Sequence, residues 1–472
     1  MLFQNNNVTL ATHLNINMSN PTSSIPTQTN SYTAIMGMGK TGVSCVHFLV
    51  KQGIQLYIMD NRAEPPYFNT LQQTYPQLTY LTGHFDPDIL ANAQEIIISP
   101  GISLENEALQ LARQAGVPII GDIELFARHV TAPVVGITGS NGKSTVTTML
   151  GEMAKQAGRA VQVGGNLGQP ALDLLSTAAD LYVLELSSFQ LETTHSLRPK
   201  VAVVLNVCAD HLDRYADMQA YAVAKQRIYQ YAETCVLNAD DPIVMAMAPT
   251  DKPIITFSLQ ADKGDFRVAT YQGQAHLVRV KQGQIIPLIA TAELALKSAF
   301  MRANALAALA LGEVLGLPLD SMILILKTFK GLHHRCELVT TINQVEWFND
   351  SKGTNIGASI AAIQGLENPK KIILIAGGDG KGADFSPLAA VAHEHLKACV
   401  LIGRDAPLIE IALQGIIPLS HAHSLEAAVK QCAELADAGD IVLLSPACAS
   451  LDMFKNYEHR GQVFTDAVHG LV

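Results

Sequence analysis

The sequence predicts an α/β protein built as three consecutive domains, each around a mainly parallel sheet. From Tyr32 onward, short apolar or β-branched runs alternate with longer stretches of helical periodicity, the pattern of βαβ units. The chain has 472 residues, more than one core organises; domains of roughly 100–200 residues give two to four, and three is the working number. Glycine loops follow predicted strands near residues 37 and 139, where doubly wound sheets turn from strand into helix.

The elements follow in chain order. Residues 1–30 are rich in Asn, Thr and Ser and carry neither Lys nor Arg nor a continuous apolar stretch, so a disordered tail and no secretory signal are expected. A Rossmann-like first domain over 31–121 carries predicted strands at 32–36, 56–59, 96–99 and 119–120. The second, over 122–331, has strands at 134–137, 181–184 and 201–206, a helix at 146–156 and an Ala-rich helix at 304–315. A Rossmann-like third, over 332–472, has strands at 371–376, 399–403 and 441–445. Pro133 and Gly331 stand near the joints, and clefts between such units are where small ligands usually bind.

Composition excludes several classes. A net charge of −10 argues against a nucleic-acid partner, which calls for a basic face. Apolar runs such as 201–205 and 322–326 fall short of the ~18 uncharged residues of a membrane span. Seven cysteines without a CxxC pair indicate neither a disulfide framework nor a zinc cluster. A cytoplasmic monomer with small-molecule substrates is expected.

The sharpest local signal is Val134-Val-Gly-Ile-Thr-Gly-Ser-Asn-Gly-Lys-Ser-Thr145, a strand running into a glycine loop and then a helix. In Gly139, Ser140, Asn141, Gly142, Lys143, Ser144 and Thr145, glycines let backbone N–H groups turn inward on phosphates. Lys143 can neutralise β- and γ-phosphate charge, and a Ser144 or Thr145 hydroxyl can hold Mg²⁺. Ile137 stands where GxxxxGK[ST] has its first glycine, so the spacing departs from that pattern while keeping its mechanics. An ordinary strand-to-helix turn is the bland alternative. A second loop, Gly37-Met-Gly39-Lys-Thr-Gly42, with Asp60 ending the next strand, resembles a dinucleotide site and supplies the rival reading of an NAD(P)-dependent oxidoreductase.

Glu185 ends an apolar strand, where ligands sit in a doubly wound sheet, and can hold Mg²⁺ opposite the loop; Glu192 reads as a solvated helix residue. The cluster Asp210-His211-Leu-Asp-Arg214 follows the next strand. His211 is either a second metal ligand or a hydrogen-bonded loop residue. His393 and His395 face different sides of a helix and make no metal pair.

Several long words recur in one order: residues 138–145, 164–166, 185–192, 210–214, 349–355, 377–381 and 445–451. On these the sequence resembles the Mur ligases, most closely their D-glutamate-adding branch, from about residue 32 to the C-terminus. The resemblance implies an ATP-dependent acid–amino-acid ligase of peptidoglycan precursor synthesis, with UDP-N-acetylmuramoyl-L-alanine and D-glutamate as substrates. ATP phosphorylates the carboxylate, and the amine attacks the acyl phosphate through a tetrahedral intermediate. It implies Thr41 and Arg62 for the UDP moiety, with Asp60 not serving NAD, and Asn166 for the muramoyl substrate or its acyl phosphate. Lys143, Glu185, His211 and Lys225 form the implied catalytic set, with Ser144 and Glu185 as one Mg²⁺ site and His211 with a carbamylated Lys225 as another. Sequence alone places Lys225 on the surface of a helix. Asn304, Arg335 and Asp350 are implied for ATP, and Lys352, Thr354, Lys381, Ser450 and Leu451 for D-glutamate, with closure of the third domain onto the second as the commitment step. Two departures stand out: Phe300-Met-Arg-Ala-Asn304 replaces the family's His-Asn-x-x-Asn, and Ala209 replaces a common acidic residue. The first departure gives a foothold to a third reading, an ATP-binding module without catalysis.

Overall fold

The computed structural model describes residues 31–366 and 371–471, so the tail expected over 1–30 lies outside the described residues. Three sheets form in series. The first holds β1 (Thr33–Met36), β2 (Leu56–Asp60), β3 (Thr79–Thr82), β4 (Glu95–Ile98) and β5 (Ile119–Ile120), all parallel in the order β3-β2-β1-β4-β5. β1 is buried throughout, as expected of a central parallel strand covered on both faces. Strand order reverses at β1, so its carboxyl end and that of β4 open a crevice, entered through the left-handed Gly37 (φ 103°).

The second sheet contains β6 (Val134–Thr138), β7 (Val161–Gly165), β8 (Leu181–Glu185), β9 (Val201–Val204), β10 (Thr234–Asn238), β11 (Ile254–Ser258), β12 (Phe266–Tyr271), β13 (Gln274–Lys281) and β14 (Gln284–Ala290). Its order is β14-β13-β12-β11-β10-β9-β6-β8-β7. The parallel part runs from β7 to β12, and β12, β13 and β14 extend it as an antiparallel meander absent from the sequence reading. Two Gln-Gly pairs make its tight turns: Gln272 and Gly273 (φ 49° and 80°), then Gln282 and Gly283 (φ 52° and 78°). Positive φ at both central residues suits the twist of a two-residue hairpin. The helix Ala299–Val314 starts five residues before the expected 304 and packs on the helix Lys143–Gln156. Its buried Ala305, Ala307, Ala308 and Ala310 allow the close approach.

The third sheet holds β15 (Glu337–Ile342), β16 (Val345–Asn349), β17 (Ile372–Gly377), β18 (Leu396–Ile402), β19 (Leu419–His421) and β20 (Ile441–Leu444), in the order β15-β16-β20-β17-β18-β19. Only the β15–β16 hairpin is antiparallel. The first and second domains join through Ser44 Oγ donating to Asp173 (2.6 Å) and Gly121 N donating to Thr193 O (3.2 Å). Among the described residues, no helix is long and apolar enough to cross a membrane.

Candidate active site

β6 delivers the chain into the phosphate loop, where Gly139 and Gly142 take φ of 151° and 87°. A Cβ on Gly142 would stand 2.6 Å from Asn304 Oδ1 and 3.4 Å from Phe300 Cζ, so the altered 300–304 segment packs directly on the loop. Lys143 opens the following helix and folds back, donating to Gly139 O (2.8 Å) and Ser140 O (2.9 Å). Burial lowers its pKa, against the pull of Glu185 and Asp210. Asn141 is fixed from β9's end by paired bonds with Asn206, of 2.8 and 3.0 Å.

Glu185, at the end of β8, accepts from Ser144 Oγ on Oε2 (2.5 Å) and from Asn166 Nδ2 on Oε1 (2.6 Å). Arg335 reaches across from the third domain and donates through Nη2 to Ser144 Oγ (2.6 Å). A hydroxyl and a carboxylate aimed at each other in a buried site are hard oxygen donors, a set that fits Mg²⁺. No group of three or more His, Cys, Asp or Glu side chains suited to a metal occurs among the described residues, so any ion here needs the hydroxyl and substrate oxygens as ligands.

Lys225 corrects the surface placement expected from sequence. It lies on the helix Met218–Gln226 with 1% exposure, donates to Gly139 O (2.9 Å) and sits 4.4 Å above the Tyr221 ring. Burial, then Lys143, holds its pKa well below the usual lysine range, which makes the neutral amine accessible. His211 takes a left-handed φ of 56° and packs edge-on against Phe189 (4.9 Å) and Tyr221 (6.2 Å), so Tyr221 touches both His211 and Lys225. Burial pushes the imidazole down to about 4, leaving the neutral form that ligates metals. Glu192 is half-buried rather than solvated.

The third domain contributes two groups of side chains. Asp350 accepts from Ser445 Oγ (2.6 Å) and from Cys336 N (3.1 Å), and burial raises it to about 7. Lys352 lies 3.8 Å over the Tyr457 ring, and burial, then Arg335, lowers it to about 8. The other group is Lys381, whose Nζ donates to Asp210 (2.6 Å) across the seam beside Thr354 and His211. Burial would raise Asp210, but Lys381 and His211 bring it down to about 2. Ser450 is buried and Leu451 is 72% exposed, on a loop held by reciprocal backbone bonds between Ala449 and Asp379. Tyr457, Asn355 and Asp210 are contacts the sequence reading did not assign. Asp210 stands in the polar cluster that follows β9, and Asn355 has the signal of an Asn ahead of an apolar helical run, but neither points to its partners across the seam.

Two cavities approach this centre from different domains. One, of about 490 Å³, lies between the first and second domains beside Thr41, Asp60, Arg62 and Asn166. Asp60 is already engaged by Met38 N (2.7 Å) and by three bonds from Arg62, which leaves it poorly placed to grip a dinucleotide ribose. The other, of about 600 Å³, lies between the second and third domains beside Gly142, Thr145, Arg335, Asp350 and Lys352. Asn166 ties the first cavity to Glu185, and Arg335 ties the second to Ser144.

A loop shaped for phosphates, flanked by two cavities with walls from different domains, is the arrangement of a nucleotide-using enzyme that handles further substrates. Family models agree along the chain: the Mur ligase MurD-like N-terminal domain matches residues 31–121, the Mur ligase middle domain 137–312, and the Mur ligase glutamate ligase domain 334–448. The chain belongs to the Mur ligase family. It is 50% identical over 443 residues to UDP-N-acetylmuramoylalanine--D-glutamate ligase of Pseudomonas syringae pv. syringae, covering 93% of this chain and 98% of that protein. The same ligase of Coxiella burnetii is 48% identical, covering 93% and 99%. Among solved structures, a pseudomurein peptide ligase type C from Methanothermus fervidus superposes with a TM-score of 0.60 at 18% identity, covering 94% of this chain and 100% of that one. UDP-N-acetylmuramate-alanine ligase from Thermotoga maritima gives 0.59 at 18%, covering 93% and 100%. These two likenesses concern the fold.

Proposed function

We propose that this chain is an ATP-dependent ligase that adds D-glutamate to UDP-N-acetylmuramoyl-L-alanine in peptidoglycan precursor synthesis, acting in the cytoplasm as a monomer. The observation that carries this reading is the Ser144–Glu185 pair, linked through Asn166 to one cavity and through Arg335 to the other. The first domain, 31–121, and its cleft receive the UDP moiety at Thr41 and Arg62. The second, 122–331, holds ATP, and the third, 332–472, brings D-glutamate.

A carboxylate is a poor electrophile at neutral pH, and phosphorylation gives it a leaving group. Backbone N–H groups of 139–145 hold the triphosphate, and Lys143 turns from its own loop carbonyls toward the γ-phosphate. Asn304 and Phe300, which both approach Gly142, border the loop where the base lies, and Arg335 and Asp350 reach ATP from the third domain. Mg²⁺ at Ser144 and Glu185 supplies charge neutralisation of the phosphate oxygens. Asn166 orients the carboxylate of the UDP substrate, whose oxygen attacks the γ-phosphorus. Lys352, Thr354, Lys381, Ser450 and Leu451 then place D-glutamate so that its amine attacks the acyl carbon and phosphate departs. The neutral amine of Lys225 is the form that adds CO₂, giving a carbamate and a proton; that carbamate and the neutral His211 would then be the residues to hold a second Mg²⁺, which would add charge neutralisation there.

The test is phosphate release from ATP and Mg²⁺ with UDP-N-acetylmuramoyl-L-alanine and one amino acid at a time. Release that requires D-glutamate, is absent with L-glutamate, L-alanine or meso-diaminopimelate, and disappears in Lys143→Ala supports the reading. No release with any of them contradicts it.

A further inference from the structure

The seam between the second and third domains carries a side chain that no role above uses. Asn355 is the N-cap of the helix Ile356–Gly365 and is 6% exposed. A carboxamide offers two donors and two acceptor sites, and here all are used. Its Oδ1 accepts from Ala358 N (2.8 Å) within its own helix and from Asn141 Nδ2 (3.3 Å). Its Nδ2 donates to Asn141 Oδ1 (3.2 Å) and to Asp210 Oδ2 (3.0 Å). One third-domain side chain thus makes a reciprocal amide pair with the phosphate loop and a bond to the carboxylate that Lys381 also holds. Two residues on, Gly357 packs where a Cβ would stand 2.7 Å from Cys208 Sγ and 3.6 Å from Asn141 Nδ2. Cys208 itself accepts from Asn141 Nδ2 (3.2 Å), and its backbone N donates to Ser140 Oγ (3.0 Å), so the same loop is read at two neighbouring points.

We propose that Asn355 is a positioning residue which, with Gly357 admitting the close approach, couples docking of the third domain to the geometry of the phosphate loop. This rests on the ligase reading and deepens it: the domain that carries the amino acid docks fully only when Asn141, and hence the loop, is in its phosphate-holding conformation. The helix cap alone needs only an acceptor at this position, which Asp and Ser also supply; the bridge needs the Nδ2 donor and the reach of the full carboxamide.

The experiment compares Asn355→Asp and Asn355→Ser with wild type by thermal melting, steady-state kinetics and small-angle scattering with a non-hydrolysable ATP analogue. Both variants keep the cap, so their Tm values stay near wild type. Asn355→Asp turns an oxygen toward Asp210 and Asn141 Oδ1, and its kcat falls about 100-fold, against about tenfold for Asn355→Ser, as lost bridging bonds and added repulsion dictate. KM for the UDP substrate, bound on the far side of the loop, stays within about twofold, because only transition-state geometry is disturbed. In scattering, Asn355→Asp remains more extended than wild type with nucleotide bound. A second route avoids any folding defect at Asn355: Gly357→Ala lowers kcat, and adding Cys208→Ala, which empties the space the new methyl needs, restores it to the level of Cys208→Ala alone. Wild-type kcat and compactness in both Asn355 variants, or no recovery in the double variant, would overturn the proposal. An inactive wild type would instead contradict the ligase reading, while the scattering comparison would still decide the bridge.

Discussion

At the scale of single residues, burial sets the chemistry. Lys225 and Lys143 both touch Gly139 O, and two buried ammonium groups so close cannot both keep their protons easily. The depressed Lys225 amine is neutral above its lowered pKa and protonated below it, so carbamate formation is favoured as pH rises through that value. With ¹³CO₂, wild-type protein should show a carbamate carbon resonance that strengthens as pH rises and is absent from Lys225→Arg. The variant should lose about two orders of magnitude in kcat, or ~3 kcal/mol of charge stabilisation. No resonance in wild type, or one that persists in Lys225→Arg, would contradict the assignment. Lys225 also shows a limit of reading from sequence: within Ala-Val-Ala-Lys-Gln-Arg nothing separates a solvated lysine from a buried one, and burial here arises from Tyr221 and Gly139, four residues and a domain core away.

At the scale of elements, the phosphate loop combines two constraints that can be separated. Gly142 lies in the left-handed region and against Asn304; Gly53 has a similar φ of 73° with nothing within 4 Å of its added Cβ. Alanine at either position meets a backbone cost of about 1–2 kcal/mol. Only Gly142→Ala should also displace Asn304 and raise KM for ATP, by about tenfold if the displacement costs a further ~1.4 kcal/mol. Gly53→Ala should lower Tm and leave KM for ATP unchanged. Equal KM values in the two variants would mean that the loop tolerates the shift.

The central parallel strands are legible because both faces are covered and continuous apolar runs such as 134–137 and 181–184 announce them. The meander β12–β14 is not. Its strands are half-exposed, with Gln, His, Arg and Lys interleaved, and its turns use Gln-Gly, a weaker signal than Asn-Gly. The strand-to-helix loop with Lys143 is legible because strand, glycines and hydroxyls are contiguous. Arg335 and Tyr457 meet the centre only through tertiary packing, and no local pattern marks them; Asn355 shows its N-cap signal but not its bonds across the seam.

At the scale of the whole molecule, the three sheets place one cavity on each side of the second domain's strand ends, so two substrates reach a common point without sharing a wall. Arg335 and Lys381 cross the seam to Ser144 and Asp210, which makes the docked third domain part of the centre. The central claim is that the carboxylate oxygen of the UDP substrate becomes bonded to phosphorus before the amine arrives. The direct measurement is to label that carboxylate with ¹⁸O, run the reaction with ATP, Mg²⁺ and D-glutamate, and weigh the released phosphate by mass spectrometry. Transfer of one ¹⁸O into each phosphate is the predicted result; unlabelled phosphate released together with the amide product would contradict the account.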